Sequence, residues 1–144
     1  MSLIQNKDKA FSKIARIFAD VMNKALISIG TNVNRETNLA LCHELLNNAF
    51  SEIIYSNTSI TTPYGNTYKD DFLNQLAFVY TSEAKEEVHK KLKSIEKKIG
   101  RNTTDKVNGK VKIDIDLVIW NEEVLKPDDM ERSYIVDLLP SLIN

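Results

Sequence analysis

The clearest chemical feature of the sequence is a pair of acidic residues, Asp114 and Asp116, separated by one isoleucine. In a β-strand, residues two positions apart point to the same side and lie roughly 6–7 Å apart. Two carboxylates at that distance repel each other, and a bound cation relieves the repulsion. Magnesium prefers a few carboxylates together with phosphate oxygens and water. The pair is therefore a candidate magnesium site, although an isolated pair of this kind is more often an exposed strand face.

Charged residues around this pair are unevenly distributed. Residues 85–112 contain ten of the nineteen Lys and Arg residues against four acids, whereas residues 113–131 contain seven acids and one lysine. A basic segment followed by an acidic one can present cations to a polyphosphate and carboxylates to its metal. Taken alone, such a distribution is more often a solvated helix face followed by an acidic loop.

A second candidate site consists of Phe72 and Asn74, which share one side of a predicted strand. A flat heteroaromatic ligand requires a ring to stack on and an amide to pair with its edge. The preceding loop, residues 61–65, can offer backbone groups to the same ligand. A half-buried aromatic strand with a tight turn would give the same pattern.

Other catalytic arrangements find no support in the sequence. Cys42 and His43 are neighbours on a predicted helix, where adjacent side chains diverge by about 100°, so they do not form a catalytic dyad. Cys42 is the one cysteine of the chain, which excludes an internal disulfide and a cysteine zinc site. Its place on an apolar stripe indicates a core residue.

The elements that must position these residues follow from hydrophobic periodicity. The pattern predicts strands at 25–30, 52–61, 72–81 and 111–120, and helices at 34–50, at 82–99 and from about 129. In the last of these strands, alternation places Ile115 and Ile119 on one face and both aspartates on the other. Asn34 and Ser82 are predicted helix caps, and Gly100 is a predicted helix end.

Without the end helices, the predicted order is strand–helix–strand–strand–helix–strand. This order predicts an α+β fold of the ferredoxin-like type, a β-α-β-β-α-β sheet with helices on one face. A C-terminal helix and an extra N-terminal amphipathic helix at residues 5–22 add to it. The apolar stripe of the extra helix contains Phe11, Ile14, Ala15, Phe18, Val21 and Met22. The predicted organisation is an N-terminal helical extension, residues 1–23, followed by one domain, residues 24–144.

Bulk properties narrow the classes of partner. A net charge of −1 does not favour nucleic acid. The apolar runs are too short to cross a bilayer, and charged residues interrupt the first turns where a signal peptide would be apolar. We therefore expect a cytoplasmic protein, a monomer or weak dimer, with no nucleic acid and no membrane partner.

Taken in order, these motifs resemble one family, the 6-hydroxymethyl-7,8-dihydropterin pyrophosphokinases. The similar segments are residues 26–32, residues 61–65, Phe72-Leu73-Asn74, Glu96 with Gly100-Arg101, residues 113–116, and Arg132 with Tyr134. They cover about residues 24 to 140. No single motif is specific, but the ordered set identifies the chain as a divergent member, with residues 24–144 as its pyrophosphokinase-like domain.

The resemblance implies a magnesium-dependent transfer of pyrophosphate from ATP, the co-substrate, to a hydroxymethyl-dihydropterin in folate biosynthesis. It implies two Mg²⁺ ions at Asp114 and Asp116, which with Arg101 and Arg132 would be the catalytic residues. The implied pterin-binding residues are Thr61, Thr62, Pro63, Tyr64, Phe72, Asn74 and Tyr134. The implied nucleotide-binding residues are Glu96, Arg101, Lys110, Lys112, Leu117 and Lys126.

The departures from the family pattern fall mainly on nucleotide positions. Val111, Asn108 and Thr103 stand where the family has arginine or tryptophan, and Lys126 is nearest to its usual histidine. Lysine replaces a guanidinium by charge but not by bidentate geometry. Three alternatives follow, namely an active pyrophosphokinase, a relative that binds pterin or nucleotide with weak or no catalysis, and a non-catalytic ferredoxin-like interaction module. The departures also predict that the chain binds a pterin better than it binds ATP.

Overall fold

A five-stranded antiparallel sheet forms the centre of the structure, a computed structural model that describes residues 22–63, 68 and 70–143. The strands are β1 (Asn23–Thr31), β2 (Glu52–Thr61), β3 (Phe72–Thr81), β4 (Asp114–Trp120) and β5 (Glu123–Val124), in the sheet order β2-β3-β1-β4-β5. The helices are α1 (Arg35–Ala49), α2 (Lys85–Ile99), α3 (Thr103–Val107) and α4 (Ser133–Ile143), with a 3-10 turn at Asp129–Glu131. The predicted α+β class is confirmed.

Two sequence predictions concern residues that the structure does not describe. The N-terminal helix expected at residues 5–22 lies, except for Met22, outside the described residues, and so does Tyr64. Within the described part of the chain, no helix combines the length and the apolar character needed to span a membrane.

One face of the sheet packs against α1 and α2. In both helices the apolar stripe recurs every three or four residues, as the sequence predicted, and its members are buried. They are Leu39, Cys42 and Leu46 in α1 and Val88, Leu92 and Ile95 in α2. These side chains pack on alternate residues of β1, β3 and β4. Because successive strand residues point to opposite faces, this packing directs the residues between them to the other side of the sheet.

Among the described residues, α4 covers only part of the other face of the sheet. Ile135 and Leu138 of this helix are buried against Leu26, Leu76 and Val118 of the sheet. The helix contacts β2 and β3 and leaves the sheet accessible where β1, β3 and β4 carry polar residues. The candidate site lies on this remaining surface.

A β-bulge in β4 corrects one sequence prediction. The register of β4 on β1 shifts between Leu117 and Ile119, so β4 carries one extra residue there. Ile119 consequently packs on the α4 side of the sheet, whereas Ile115 is buried on the α1 and α2 side. The prediction that they share a face was wrong, because simple alternation contains no signal for an extra residue. Asp114 and Asp116 precede the bulge and are unaffected.

Helix ends agree with the sequence at some positions and not at others. Gly100 ends α2 with a φ of 108°, a left-handed conformation that favours glycine, as predicted. Asn34 directly precedes α1, but its side chain makes no capping hydrogen bond. Ser82 does not cap α2, since Ala84 occupies that position and the helix begins at Lys85.

Three further boundaries differ from the predictions. The segment between the predicted helix at 82–99 and the predicted strand at 111–120 contains the short helix α3, and β4 begins at Asp114 rather than at residue 111. The final helix expected from about residue 129 is a 3-10 turn followed by α4. Strand β5 was not predicted, because two exposed residues carry no hydrophobic period.

Candidate active site

A groove of about 270 Å³ opens on the face of the sheet that α4 covers in part. Its lining comes from four strands, from the segment after α2 and from the start of α4. The lining residues are Ser28, Gly30, Thr61, Thr62, Tyr68, Phe72, Asn74, Arg101, Val111, Asp114, Asp116, Asp129, Arg132 and Tyr134. All four residues implied to be catalytic and most of those implied to bind pterin therefore lie around one space.

The two aspartates lie on the groove side of β4, as alternation predicted. Asp114 stands opposite Gly30 and Asp116 opposite Ser28 of the central strand. Arg101, which follows the glycine that ends α2, donates a hydrogen bond from Nη1 to Asp114 Oδ1 at 2.5 Å. The end of α2 thus sets where this guanidinium meets the carboxylate pair.

The two carboxylates differ in how readily they ionise. Burial opposes the charge of Asp114, but the hydrogen bond and charge of Arg101 outweigh it and hold the pKa of Asp114 below its ordinary value. Burial, with the charge of Asp114 and a hydrogen bond to it, raises the pKa of Asp116 from 3.8 to about 6, against the attraction of Lys126 and Lys93. The raised pKa of Asp116 means that two negative charges on this buried pair are unfavourable, and a bound cation would relieve that repulsion.

The carboxylate pair fits a magnesium ion that takes part of its coordination from outside the protein. Within the described residues, no cluster of three or more His, Cys, Asp or Glu side chains could hold a metal alone. Magnesium commonly binds through one or two carboxylates and completes its shell with phosphate oxygens and water. Asp114 and Asp116 offer that number of ligands.

Glu96 supports this pair from behind and does not line the groove. Its side chain is 7% exposed, and its Oε2 accepts hydrogen bonds from Arg101 Nη1 at 3.0 Å, Lys93 Nζ at 3.1 Å and the backbone N–H of Ile115 at 2.7 Å. These three contacts anchor Arg101 and Lys93 to β4. The nucleotide contact that the resemblance implies for Glu96 stays a prediction.

The other half of the groove is aromatic and amide in character. Phe72 and Tyr134 both line it, and Tyr68 meets the Phe72 ring edge-on with centroids 5.3 Å apart. The hydroxyl groups of Tyr134 and Ser28 lie 3.4 Å apart, which ties the start of α4 to β1. Rings from β3 and α4, far apart in sequence, thus border the same space.

Asn74 is held in one orientation at the floor of this half. Its Nδ2 donates to Thr61 Oγ1 at 2.8 Å and to the carbonyl of Ser59 at 3.3 Å. A Cβ added at Gly30 would lie 3.6 Å from Asn74 Oδ1 and 3.7 Å from the Phe72 ring. The missing side chain at Gly30 therefore leaves room beside both residues for a ligand.

A second groove, of about 560 Å³, adjoins the carboxylates on the side of α2. It is lined by Lys85, Glu86, His89, Lys90, Lys93, Asp116, Leu117, Leu125 and Lys126. Asp116 borders both grooves, and Lys93 Nζ and Lys126 Nζ each lie 3.9 Å from its Oδ1. Leu117 and Lys126, both implied to bind nucleotide, are brought together here.

Several implied site residues are not brought to either groove. Lys112 Nζ is paired with Asp105 Oδ2 at 3.2 Å and with the Gly100 carbonyl at 3.3 Å, so it binds the α3 segment. Lys110 is exposed beside it, and Pro63 does not line the pocket although Thr61 and Thr62 do. Lys110 and Lys112, both implied to bind nucleotide, therefore do not line either groove in the described structure.

Sequence reasoning missed several residues that border the site, among them Ser28, Gly30, Tyr68 and Lys93. Ser28 and Gly30 alternate with buried residues of β1, so the same period-two argument applied to β4 could have found them. Lys93 lies three residues before Glu96 on α2, a spacing that places both on one helix face. Tyr68 lies in an irregular segment and carries no periodic signal.

An α+β domain whose carboxylate pair stands between an aromatic groove and a lysine-lined groove has the parts of a metal-assisted phosphoryl-transfer site. The profile of one family, 7,8-dihydro-6-hydroxymethylpterin-pyrophosphokinase (HPPK), matches residues 26–144. Because this match covers most of the chain, the protein belongs to the HPPK family, and the resemblance seen in the sequence is confirmed. Members of this family are ATP-dependent pyrophosphokinases of folate biosynthesis. A search of curated proteins found no match.

Proposed function

We propose that this chain transfers a pyrophosphoryl group from ATP to the hydroxymethyl group of 6-hydroxymethyl-7,8-dihydropterin, with magnesium at Asp114 and Asp116. The observation that carries the proposal is the position of Asp116 between the two grooves. A flat ligand in the aromatic groove and a polyphosphate in the lysine-lined groove would meet at this carboxylate. Phosphoryl transfer depends mostly on positioning and charge neutralisation, and requires no covalent nucleophile.

The aromatic groove supplies recognition of the pterin. Phe72 and Tyr134 offer ring faces on which a flat heterocycle stacks, and ring pairs of this kind lie roughly 4.5–7 Å apart. The held amide of Asn74 pairs with the edge of the heterocycle. Together they would turn the hydroxymethyl group toward the carboxylates.

The lysine-lined groove supplies most of the protein's positive charge for the polyphosphate. Lys93 and Lys126 approach Asp116 from α2 and from the segment after β5, while Arg101 approaches Asp114. When bound at the carboxylate pair, magnesium supplies further neutralisation of the phosphate oxygens and orients them. These cations would stabilise the negative charge on the pyrophosphoryl group during its transfer.

A second candidate function is binding of pterin with weak or no turnover. Val111 lines the groove where the family pattern has an arginine, and Lys112 is paired with Asp105. The nucleotide therefore meets mainly lysines, which grip phosphate as point charges rather than as bidentate forks. This observation favours a weaker hold on ATP than on pterin.

The experiment combines turnover with calorimetry on the full chain. Active enzyme should form AMP and pterin pyrophosphate only with magnesium, and Asp116→Ala should lower kcat/KM by roughly 10³-fold, because lost charge stabilisation is worth several kcal/mol. Asp137→Ala, an exposed acid on α4, is the control and should leave the rate unchanged.

The outcomes separate the alternatives. Pterin binding without turnover would support a relative with weak or no catalysis. If neither pterin nor a magnesium–ATP analogue binds, the non-catalytic interaction module would be the supported alternative. Turnover that persists in Asp116→Ala, or without divalent cation, would contradict the proposed metal role. We further infer a ferredoxin-like domain at residues 24–144, supported by the strand order β2-β3-β1-β4 and by α1 and α2 on one face.

A further inference from the structure

The end of the sheet away from the active site carries an apolar row that α4 does not fully cover. Strands β2, β3 and β4 contribute one residue each to this row, on either side of the buried Leu26 of β1. Ile54 pairs with Phe78, Phe78 with Leu26, and Leu26 with Ile119, so all four point to the same face. Phe78 and Ile119 are half-buried, and Ile54 is 51% exposed. We refer to Ile54, Phe78 and Ile119 as the apolar row.

The row ends where the N-terminal segment joins the sheet. Strand β1 begins at Asn23, which pairs with Thr81 and so lies just beyond the apolar row. Lys24 Nζ lies 4.2 Å from the centre of the Phe78 ring, which shows that this surface already attracts a side chain from the first residues of β1. Any segment directly before Asn23 therefore starts next to the apolar row.

The chain before Asn23 has the length and pattern to cover this surface. Its apolar residues at 11, 14, 15, 18, 21 and 22 recur at three and four, which predicts one apolar helix face. A helix over residues 5–22 would be about 27 Å long at 1.5 Å per residue. The row crosses four adjacent strands, which is about 14 Å at a spacing near 4.8 Å. The charged residues of segment 5–22 are four bases and two acids. Glu52, at the edge of the sheet face that carries the apolar row, is exposed and is opposite in charge to this net basic segment.

We propose that residues 5–22 form a helix that docks on the apolar row of its own domain. Docking buries Ile54, Phe78 and Ile119 against the stripe that contains Phe11, Ile14 and Phe18. The predicted N-terminal extension is then the second cover of the sheet face that α4 leaves incomplete, at the end opposite the active site. This interaction is independent of catalysis.

Paired cysteines in the full chain test the docking. The test pair is Ala15→Cys with Ile54→Cys, which keeps the large residues of the stripe. Ile60→Cys is the matched strand control, because Ile60 is 56% exposed on the same strand but pairs with Leu73 of the opposite core. Lys13→Cys is the matched helix control, since two helical positions rotate a side chain by about 200°. Native Cys42 is buried and can remain.

Under mild oxidation the test pair should form an intrachain disulfide at least about tenfold faster than either control pair, because 1.4 kcal/mol of docking energy already shifts a population tenfold. Equal rates in the three pairs would overturn the proposal, since they indicate a tether that samples all directions. Disulfide-linked dimers in place of the intrachain bond would also overturn it, because they indicate that the segment binds a second copy.

Discussion

The substitution Glu96→Gln should lower the free energy of unfolding by about 2–3 kcal/mol in the absence of ligand. The buried Oε2 of Glu96 accepts three hydrogen bonds, from Arg101, Lys93 and the backbone of Ile115. An amide keeps an acceptor oxygen but loses the charge, and hydrogen bonds to a charged group contribute about 1.5–3 kcal/mol each, against about 1 for neutral ones.

Solvent exposure of Lys93 and Arg101 limits the stability lost in Glu96→Gln. The side chains of Lys93 and Arg101 are 39% and 30% exposed, so water replaces part of what each loses. The N–H of Ile115 has no such access, since that residue is fully buried. The expected value therefore lies below the 3–5 kcal/mol typical of breaking a wholly buried ion pair. It is still a large share of the 5–15 kcal/mol that holds a domain of this size folded.

Urea unfolding of Glu96→Gln, read by far-UV circular dichroism, measures this loss. Glu87→Gln is the control, because Glu87 lies on the same helix in an exposed position and should change stability by less than about 0.5 kcal/mol. Unchanged stability in Glu96→Gln, together with a selective loss of affinity for a magnesium–ATP analogue, would refute the anchoring role. It would restore Glu96 as a direct nucleotide ligand.

Three shorter predictions concern the grooves and the thiol. Gly30→Val should fold but bind pterin at least tenfold more weakly by calorimetry, because the valine side chain would project between Asn74 and Phe72. Unchanged affinity would show that the ligand lies elsewhere. Lys126→Met should weaken binding of a magnesium–ATP analogue and make it less sensitive to salt, because a phosphate held by an exposed ammonium is screened; an unaltered salt dependence would remove Lys126 from the site. Cys42 should react with a thiol reagent roughly 10³-fold more slowly than a free thiol, because burial raises its pKa to about 12; rapid labelling under native conditions would contradict the packed position of α1.

The sequence predicted the parts of the fold that depend on local periodicity. The stripes of α1 and α2 and the shared side of Asp114 and Asp116 follow from spacings of two to four residues, and the end of α2 at Gly100 follows from the conformational preference of glycine. The position of Ile119 did not follow, because a bulge depends on how two distant strands align. Strand β5 has only two residues, too short for any period.

The site was predicted as a set of residues but not as an arrangement. Phe72 and Tyr134 are 62 positions apart, and only the packing of α4 on the sheet makes them border one groove. The contacts by which Glu96 anchors Arg101 and Lys93 were not predicted, because burial and three donors cannot be inferred from a motif. The pairing of Lys112 with Asp105 was not predicted either, because the short helix α3 was not foreseen.

The central place of β1 has a consequence for how the chain folds during synthesis. The first strand of the sheet pairs with β3 and with β4, whose residues follow about 50 to 90 positions later. At roughly 5–20 residues per second, a ribosome needs several seconds to deliver both partners. Until then both edges of an apolar strand stay unpaired, which is the state most prone to wrong association. Such long-range pairing also makes folding slow. The two aspartates and Tyr134 follow β1 by more than about 80 positions, so the active site can assemble only after this later part of the chain has been synthesised.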